Sequence, residues 1–212
     1  MFEHTISTEA ADRFYDRLGI GHDRAEIYEG LAKKQGLARL DLRPGQRVLN
    51  VGVGTGKEHL QLQAAVSPAG AAFGLDRSPV MLKLAYSRTG APLCQADARR
   101  LPYVSASVDR LFSSYMLDLL AAQDLPGVLA EFRRVLKPGG RMVLVSLTEG
   151  VDWRSRMLVG AWKTAFRLNP IWCGGCRPVE LAALVQNTGF ASVQREAVVQ
   201  WGIPSEVVVA ER

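Results

Sequence analysis

The sequence is poor in cysteine: three in 212 residues, an odd number, which does not make a disulfide framework. The chain therefore reads as one that folds in a reducing setting. No apolar segment reaches the roughly 18–20 residues that a membrane span needs. The opening MFEHTISTEAADRF carries early acids and lacks the apolar centre of a secretory leader, so a cytoplasmic location is expected. Internal repeats and low-complexity tracts are missing, as is any run of five like charges. That last absence bears on the net charge of +5 and the pI near 9.3. Dispersed arginines produce such values without a nucleic-acid-binding face, and no nucleic-acid partner is expected. What is present, 48% hydrophobic residues, suffices for the core of one α/β domain of this length.

The chain is organised around Arg47–Asp76. Val48, Leu49 and Val51 lead into Gly52, Gly54 and Gly56; a helical stretch runs from about Lys57 to Ala65; a second apolar run, Ala71 to Leu75, ends on Asp76. The pattern is strand, glycine turn, helix, strand, acid. Glycines allow positive φ and close approach of a ligand to the backbone. An acid at the tip of the second strand is placed to accept from two ribose hydroxyls. A phosphate-binding P-loop is excluded twice: Val51 stands where its first glycine belongs, and Glu58 follows Lys57 where it needs Ser or Thr. A dinucleotide fingerprint, G-x-G-x-x-G, fails because Lys57 takes its third glycine position.

The G-x-G-x-G of Gly52, Gly54 and Gly56 resembles the first motif of class I S-adenosylmethionine (SAM) methyltransferases. Other segments follow in the family's order. Arg13-Phe14-Tyr15-Asp16 resembles its R-x-Y-D arm, Gln95-Ala96-Asp97-Ala98-x-x-Leu101-Pro102 its next cofactor motif, and Ser107–Phe112 its fourth strand. Lys137-Pro138-Gly139-Gly140 resembles its structural turn after a helix over Leu125–Leu136. The resemblance covers about residues 44–148. It points to the type 11 and ubiquinone/menaquinone or phospholipid methyltransferase-like branches. It implies SAM as cofactor, with Tyr15 as a lid residue and Gly52, Val53, Gly54, Gly56, Arg77 and Ser113 around the cofactor. It further implies ribose on Asp76, Met81 on the adenine, and Asp97 with the Ala98 N–H at the base edge. Asn50 stands where the family carries an acid for the cofactor's ammonium group. Asparagine keeps an acceptor but brings no charge, so Asn50→Asp is expected to tighten binding.

Tyr115 and Asp118 follow the fourth strand, at the sheet end where ligands bind in doubly wound folds. They are the catalytic and acceptor-side candidates; Asp118 could equally cap its turn. In residues 151–172, Trp153, Met157, Ala161 and Ala165 align at helical spacing beside Leu158, Trp162 and Phe166, with Arg156, Lys163 and Arg167 opposite. Tryptophan with basic residues suits a bilayer surface, a helix covering the active site, or a packed helix with solvated cations. Arg154 falls in the apolar arc, where burial would demand an anionic partner; Arg154 and Trp162 are counted on the substrate side. Cys173-Gly174-Gly175-Cys176 has no second ligand pair for a zinc site and reads as a tight turn beside the pocket.

The expectation is one domain over residues 1–212: a helical cover (1–43), a cofactor-binding core (44–148), substrate-side helices (149–189) and closing strands (190–212). Its architecture is a Rossmann-like α/β three-layer sandwich with seven mostly parallel strands, the last antiparallel. It is expected to be a monomer or homodimer that methylates a small, apolar or lipid-like acceptor, with no metal. Two alternatives stay open: an NAD(P) oxidoreductase on the same half-site, and a non-catalytic protein that binds SAM or a lipid surface.

Overall fold

The computed structural model describes residues 6–212. The chain opens with α1 (Thr8–Leu18), a 3-10 helix (Gly19–Ala25) and α2 (Glu26–Arg39). Alternation follows: β1 (Arg47–Val51), α3 (Lys57–Val66), β2 (Ala71–Asp76), α4 (Pro79–Thr89), β3 (Leu93–Gln95) and β4 (Val108–Ser114). Two short 3-10 turns, Leu117–Leu119 and Ala122–Asp124, lead into α5 (Leu125–Val135) and β5 (Leu136–Leu147). The last third holds α6 (Trp153–Leu168), a 3-10 turn (Pro170–Cys173), α7 (Leu181–Gln186), β6 (Ser192–Gln200) and β7 (Ile203–Glu211).

The strands form one sheet in the order β3-β2-β1-β4-β5-β7-β6. Strands β1 to β5 pair in parallel, and β7 inserts antiparallel between β5 and β6. Successive strand residues face opposite sides, and each side has its own core. Leu49, Val51, Leu111, Met142 and Leu144 pack on α5 and α7 through Leu129, Phe132 and Val185. Val48, Phe112, Val143, Val145 and Val207 pack on α2 and α3 through Ala32, Leu62 and Val66. The seven-stranded three-layer expectation holds, including the inserted last strand.

Local signals set the helix ends. Ser78 accepts from the Met81 N–H at 3.0 Å and Pro79 occupies the first position of α4. Asp152 and Ser155 form a reciprocal capping box at the start of α6. The P-G-G segment is both turn and ladder. β5 begins at Leu136, opposite Val108, and the register then jumps to Arg110 opposite Arg141. Lys137–Gly140 bulges between these pairs, with Gly139 at φ +72, and the Lys137 ammonium ties the bulge to Asp109 at 2.7 Å.

α2 lies flat on the sheet because Gly36 has no side chain. A Cβ there would sit 2.6 Å from Val145 Cγ2 and 3.3 Å from Phe112 Cε2. Gly36→Val is expected to cost about 2–3 kcal/mol of stability through overpacking, read as a lower urea midpoint with unchanged slope; an unchanged midpoint would show that α2 does not press on β4 and β5 as described.

Candidate functional site

A cavity of about 470 Å³ opens at the carboxyl ends of β1, β2 and β4. The strand order reverses there, between β1 and β4, which is where doubly wound sheets bind ligands. Its size is in the range of small-molecule sites. The floor is the glycine loop after β1. Gly52 and Val53 donate their N–H groups to the Leu75 carbonyl, both at 2.9 Å, and Gly54 donates to Asp76 Oδ2 at 2.9 Å. The three glycines have different tasks. Gly56, at φ +87, lies against α4: a Cβ would stand 2.8 Å from Ala85 Cα. A Cβ on Gly52 would meet Met116 at 2.9 Å. Gly54, at φ +53, faces open space in the cavity wall.

Asp76 is held from both sides. Oδ2 accepts from Gly54 and Oδ1 from the Ser78 N–H at 3.0 Å. Burial pushes its carboxyl up, against those backbone hydrogen bonds. A carboxylate has about four lone-pair sites, so two remain for ligand hydroxyls. Leu75, Met81, Ala96, Ala98 and Leu120 give the cavity an apolar side. Open room beside Gly54, a fixed acceptor and an apolar slot fit the nucleoside end of SAM.

Asp97 borders the same cavity, but its oxygens are taken. Oδ1 accepts from the Arg99 N–H (2.9 Å) and Nε (3.0 Å); Oδ2 accepts from Arg99 Nη2 (2.6 Å) and from Arg77 Nη1. Burial works to raise its pKa, but the hydrogen bonds and charge of Arg99 and Arg77 win and carry it down to about 2. The adenine-amino role implied for Asp97 would require one of these contacts to give way, since in this arrangement both oxygens are engaged. Arg77 extends the chain of charges to Asp12 on α1, through Nη2–Oδ2 at 3.0 Å and Nε–Oδ1 at 3.3 Å.

α1 closes over the cavity, and its grip is wider than the arm motif indicated. Asp12 holds Arg77, Asp16 accepts from the Ser78 hydroxyl at 2.5 Å, and Tyr15 donates to the Gly174 carbonyl at 3.2 Å. These three residues share a helix face at i, i+3 and i+4, a spacing that could have revealed the clasp. His22 also lines the cavity, its ring 5.7 Å from that of Tyr15. Burial lowers its pKa, which keeps the imidazole neutral. Nothing in the local sequence singled it out.

Several expected site residues lie elsewhere. Val53 and Ser113 are buried beneath the loop, Ser113 donating to the Val51 carbonyl at 2.9 Å. Asn50 is also buried and does not line the cavity, so Asn50→Asp would place a charge in the interior, contrary to the tighter binding expected of it. Tyr115, at φ +48, borders the cavity, but its hydroxyl turns into the core and meets Ser205 Oγ at 2.6 Å. Asp118 is fully buried beside the cavity wall. Oδ2 accepts from the Leu147 N–H at 3.4 Å and Oδ1 has no hydrogen-bond partner. Burial, then the nearby Glu29 charge, pushes its pKa up to about 7.

Of the surroundings left open for α6, the structure puts part of the apolar arc outward: Ser155, Val159 and Phe166 are buried while Trp153 and Met157 stand in solvent. Arg154 stacks on the exposed Trp153 ring at 5.2 Å and has no place in the cavity. Trp162 donates Nε1–H to the Cys176 carbonyl at 2.9 Å, a packing role. Gly174 and Gly175, both at positive φ, make the Cys-Gly-Gly-Cys segment a tight turn against Phe14, Tyr15 and Ile6. Burial raises both thiols, and Cys176 Sγ lies 3.6 Å from the Tyr15 hydroxyl.

Comparison with known proteins falls on the same residues. A family model described as a methyltransferase domain matches residues 48–140. An uncharacterised 37.1 kDa protein of a Streptomyces fradiae transposon is 32% identical over 201 residues, 90% of this chain and 54% of its own. A ubiquinone/menaquinone biosynthesis C-methyltransferase of Bordetella avium is 30% identical over 131 residues, 56% of this chain and 50% of its own. The chain thus spans about half the length of these curated relatives. A SAM-dependent methyltransferase structure from Aquifex aeolicus superposes with a TM-score of 0.66 at 18% identity, over 94% of this chain and 97% of that one, a likeness of fold. The matched segment starts in β1, ends in the P-G-G bulge and contains every strand end that borders the cavity; over these residues the chain is similar to methyltransferase domains.

Proposed function

We propose that this protein transfers a methyl group from SAM to a small, apolar or lipid-like acceptor. One observation carries the reading: the N–H groups of Gly52, Val53 and Gly54 are all engaged, by Leu75 O and Asp76 Oδ2, while the space beside Gly54 is open. A pyrophosphate needs free backbone donors at such a loop, so the loop favours a cofactor without phosphates over NAD(P). The likeness to the Bordetella avium C-methyltransferase of ubiquinone/menaquinone biosynthesis supports an apolar acceptor.

When bound, SAM supplies an electrophilic methyl on a sulfonium. The residues of this chain contribute position and dryness. Asp76, locked by two backbone donors, would fix the ribose without reorganising. α1 lies over the cavity through Asp12, Tyr15 and Asp16 and would limit the entry of water. Alignment of this kind is worth up to about 7–11 kcal/mol. Where the acceptor must lose a proton, His22 is the neutral base facing the cavity, and it takes the role that Asp118, sealed away from the cavity, does not fill.

Two measurements test this reading. Titration calorimetry should show that the protein binds SAM and not NAD, and that Gly54→Ala weakens SAM about tenfold or more, because its methyl enters the ligand's space at a φ unfavourable to alanine. Equal SAM affinity in Gly54→Ala, or NAD binding in its place, would refute the assignment. Mass spectrometry of an extract should then find a metabolite that gains one methyl for one hydrogen only with enzyme and SAM together.

Asp118 generates a separate prediction. Its folded pKa, about 7, lies above the ordinary aspartate value of 3.8, so the native state binds a proton that the unfolded state releases. The protein should lose stability as pH rises from about 4 to 7, and level off above. Asp118→Asn still accepts from Leu147 and should flatten that slope, gaining on the order of 1–4 kcal/mol at pH 8 at about 1.4 kcal/mol per unit. Parallel melting curves at pH 5 and pH 8 decide it; a slope that persists in the variant assigns the effect to other groups.

A further inference from the structure

The outward face of α6 is apolar where a surface helix is normally polar. Trp153, Met157, Ala161 and Leu168 follow one another at helical spacing on the side opposite Ser155, Val159 and Phe166. Trp153 is 67% exposed, Met157 67% and Leu168 72%. Cations flank the stripe: Arg154 over the Trp153 ring on one side, Arg156 and Arg167 on the other. From residue 153 to residue 172 the sequence has four basic residues and no acid; one of the four, Lys163, is paired with Glu149 at 2.5 Å, which leaves the arginines to face an anionic surface. The turn after α6 adds Trp172, 69% exposed, beside a half-exposed Ile171.

Two distant segments extend this surface. Leu158 packs against Gly202 in the β6–β7 turn, where a Cβ would lie 2.5 Å from Leu158 Cδ1. The neighbouring Trp201 is 79% exposed and held at φ +53, a backbone conformation that bulky residues rarely adopt. On the far side, Gln200 bridges into α2. It accepts from the Leu31 N–H at 2.8 Å and donates to the Ile27 carbonyl at 2.6 Å, which sets the exposed Ile27 and Leu31 beside the same turn. Exposed tryptophan at three positions, each on a segment fixed by packing, marks an interaction surface rather than scattered apolar residues.

The position of this surface is informative. Thr148, just past the carboxyl end of β5, bonds Pro204 at the start of β7. The β6–β7 turn therefore lies on the same sheet edge as the cavity. The turn after Trp172 touches the cavity's cover directly: Gly174 meets Phe14 and Tyr15, and Gly175 meets Ile6 and Leu119.

We propose that the face built from Trp153, Met157, Leu168, Trp172 and Trp201 docks on an anionic bilayer surface, with the flanking arginines on lipid headgroups and the cavity's cover turned toward the bilayer. The occupant follows from charge and shape: tryptophans at the level of headgroups, an apolar stripe between cations, and a segment free of acids. Among the described residues no helix is long and apolar enough to cross a membrane, so the contact is peripheral. Delivery of a lipid-like acceptor rests on the proposed methyl transfer; the docking itself does not.

The test is co-sedimentation with vesicles of phosphatidylcholine and phosphatidylglycerol in equal parts, against pure phosphatidylcholine, with tryptophan emission as a second readout. The wild-type protein should bind the mixed vesicles with a blue shift and release with added salt. Met157→Glu should weaken binding about tenfold or more and Arg154→Ala about fivefold, with melting temperature and SAM binding unchanged, since neither side chain is buried. Absence of binding to the mixed vesicles, or equal binding by both variants, overturns the proposal. So does self-association of the wild type that Met157→Glu abolishes, which would assign the face to a second copy. Vesicle binding without SAM binding would leave the docking intact and remove the methyltransferase reading.

Discussion

The hydrogen bond from the Gly54 N–H to the Asp76 carboxylate joins the two halves of the site. It ties the loop after β1 to the tip of β2 and fixes the acid's rotamer. With Leu75 taking the two preceding N–H groups, it leaves the loop without free donors at those positions. At those positions the loop meets a ligand by shape and not by anion binding. The same sequence pattern with unoccupied donors would serve a phosphate. The difference is a matter of which acceptors the second strand brings alongside.

Around this junction the chain spends its charge on closure. Asp12, Arg77, Asp97, Arg99 and Asp124 form a continuous series of ion pairs along the cavity wall. Most of these groups are partly exposed, so their value in stability is small and salt-dependent. Their effect is geometric: they hold α1 down and engage the carboxylate that the motif alone assigned to a base. The positive net charge is a separate matter, and part of it is gathered on the acid-free segment from Trp153 to Trp172.

Much of the architecture was legible before any coordinates. The apolar runs of β1 and β2 end on glycine or acid, Ser78-Pro79 opens α4 and α5 keeps a 3.6-residue period, so much of the element order followed. The half-site at Gly52–Asp76 was equally plain, because turn, helix and acid must be close in sequence to be close in space. Asp12 escaped attention and Asp16 was read only as part of the arm motif, although their spacing with Tyr15 put them on one face; His22 had no local signature. For α6 the sequence left three surroundings open, since both its faces carry apolar residues, and only packing against the rest of the chain shows which is inward.

The sequence by itself determined the element order, the glycine-to-acid half-site and the likeness to methyltransferase domains over the core, because these depend on short-range patterns that a linear reading preserves. The tertiary structure alone decided that Asp118 is sealed in the core, that Asp97 has given its lone pairs to two arginines, and that tryptophans stand outward on one edge. Burial and the occupation of lone pairs depend on groups brought from far along the chain: Leu147 for Asp118, Arg77 for Asp97, Gly202 for Leu158. A local pattern names a residue's chemistry, but only the packed neighbours determine whether that chemistry is available.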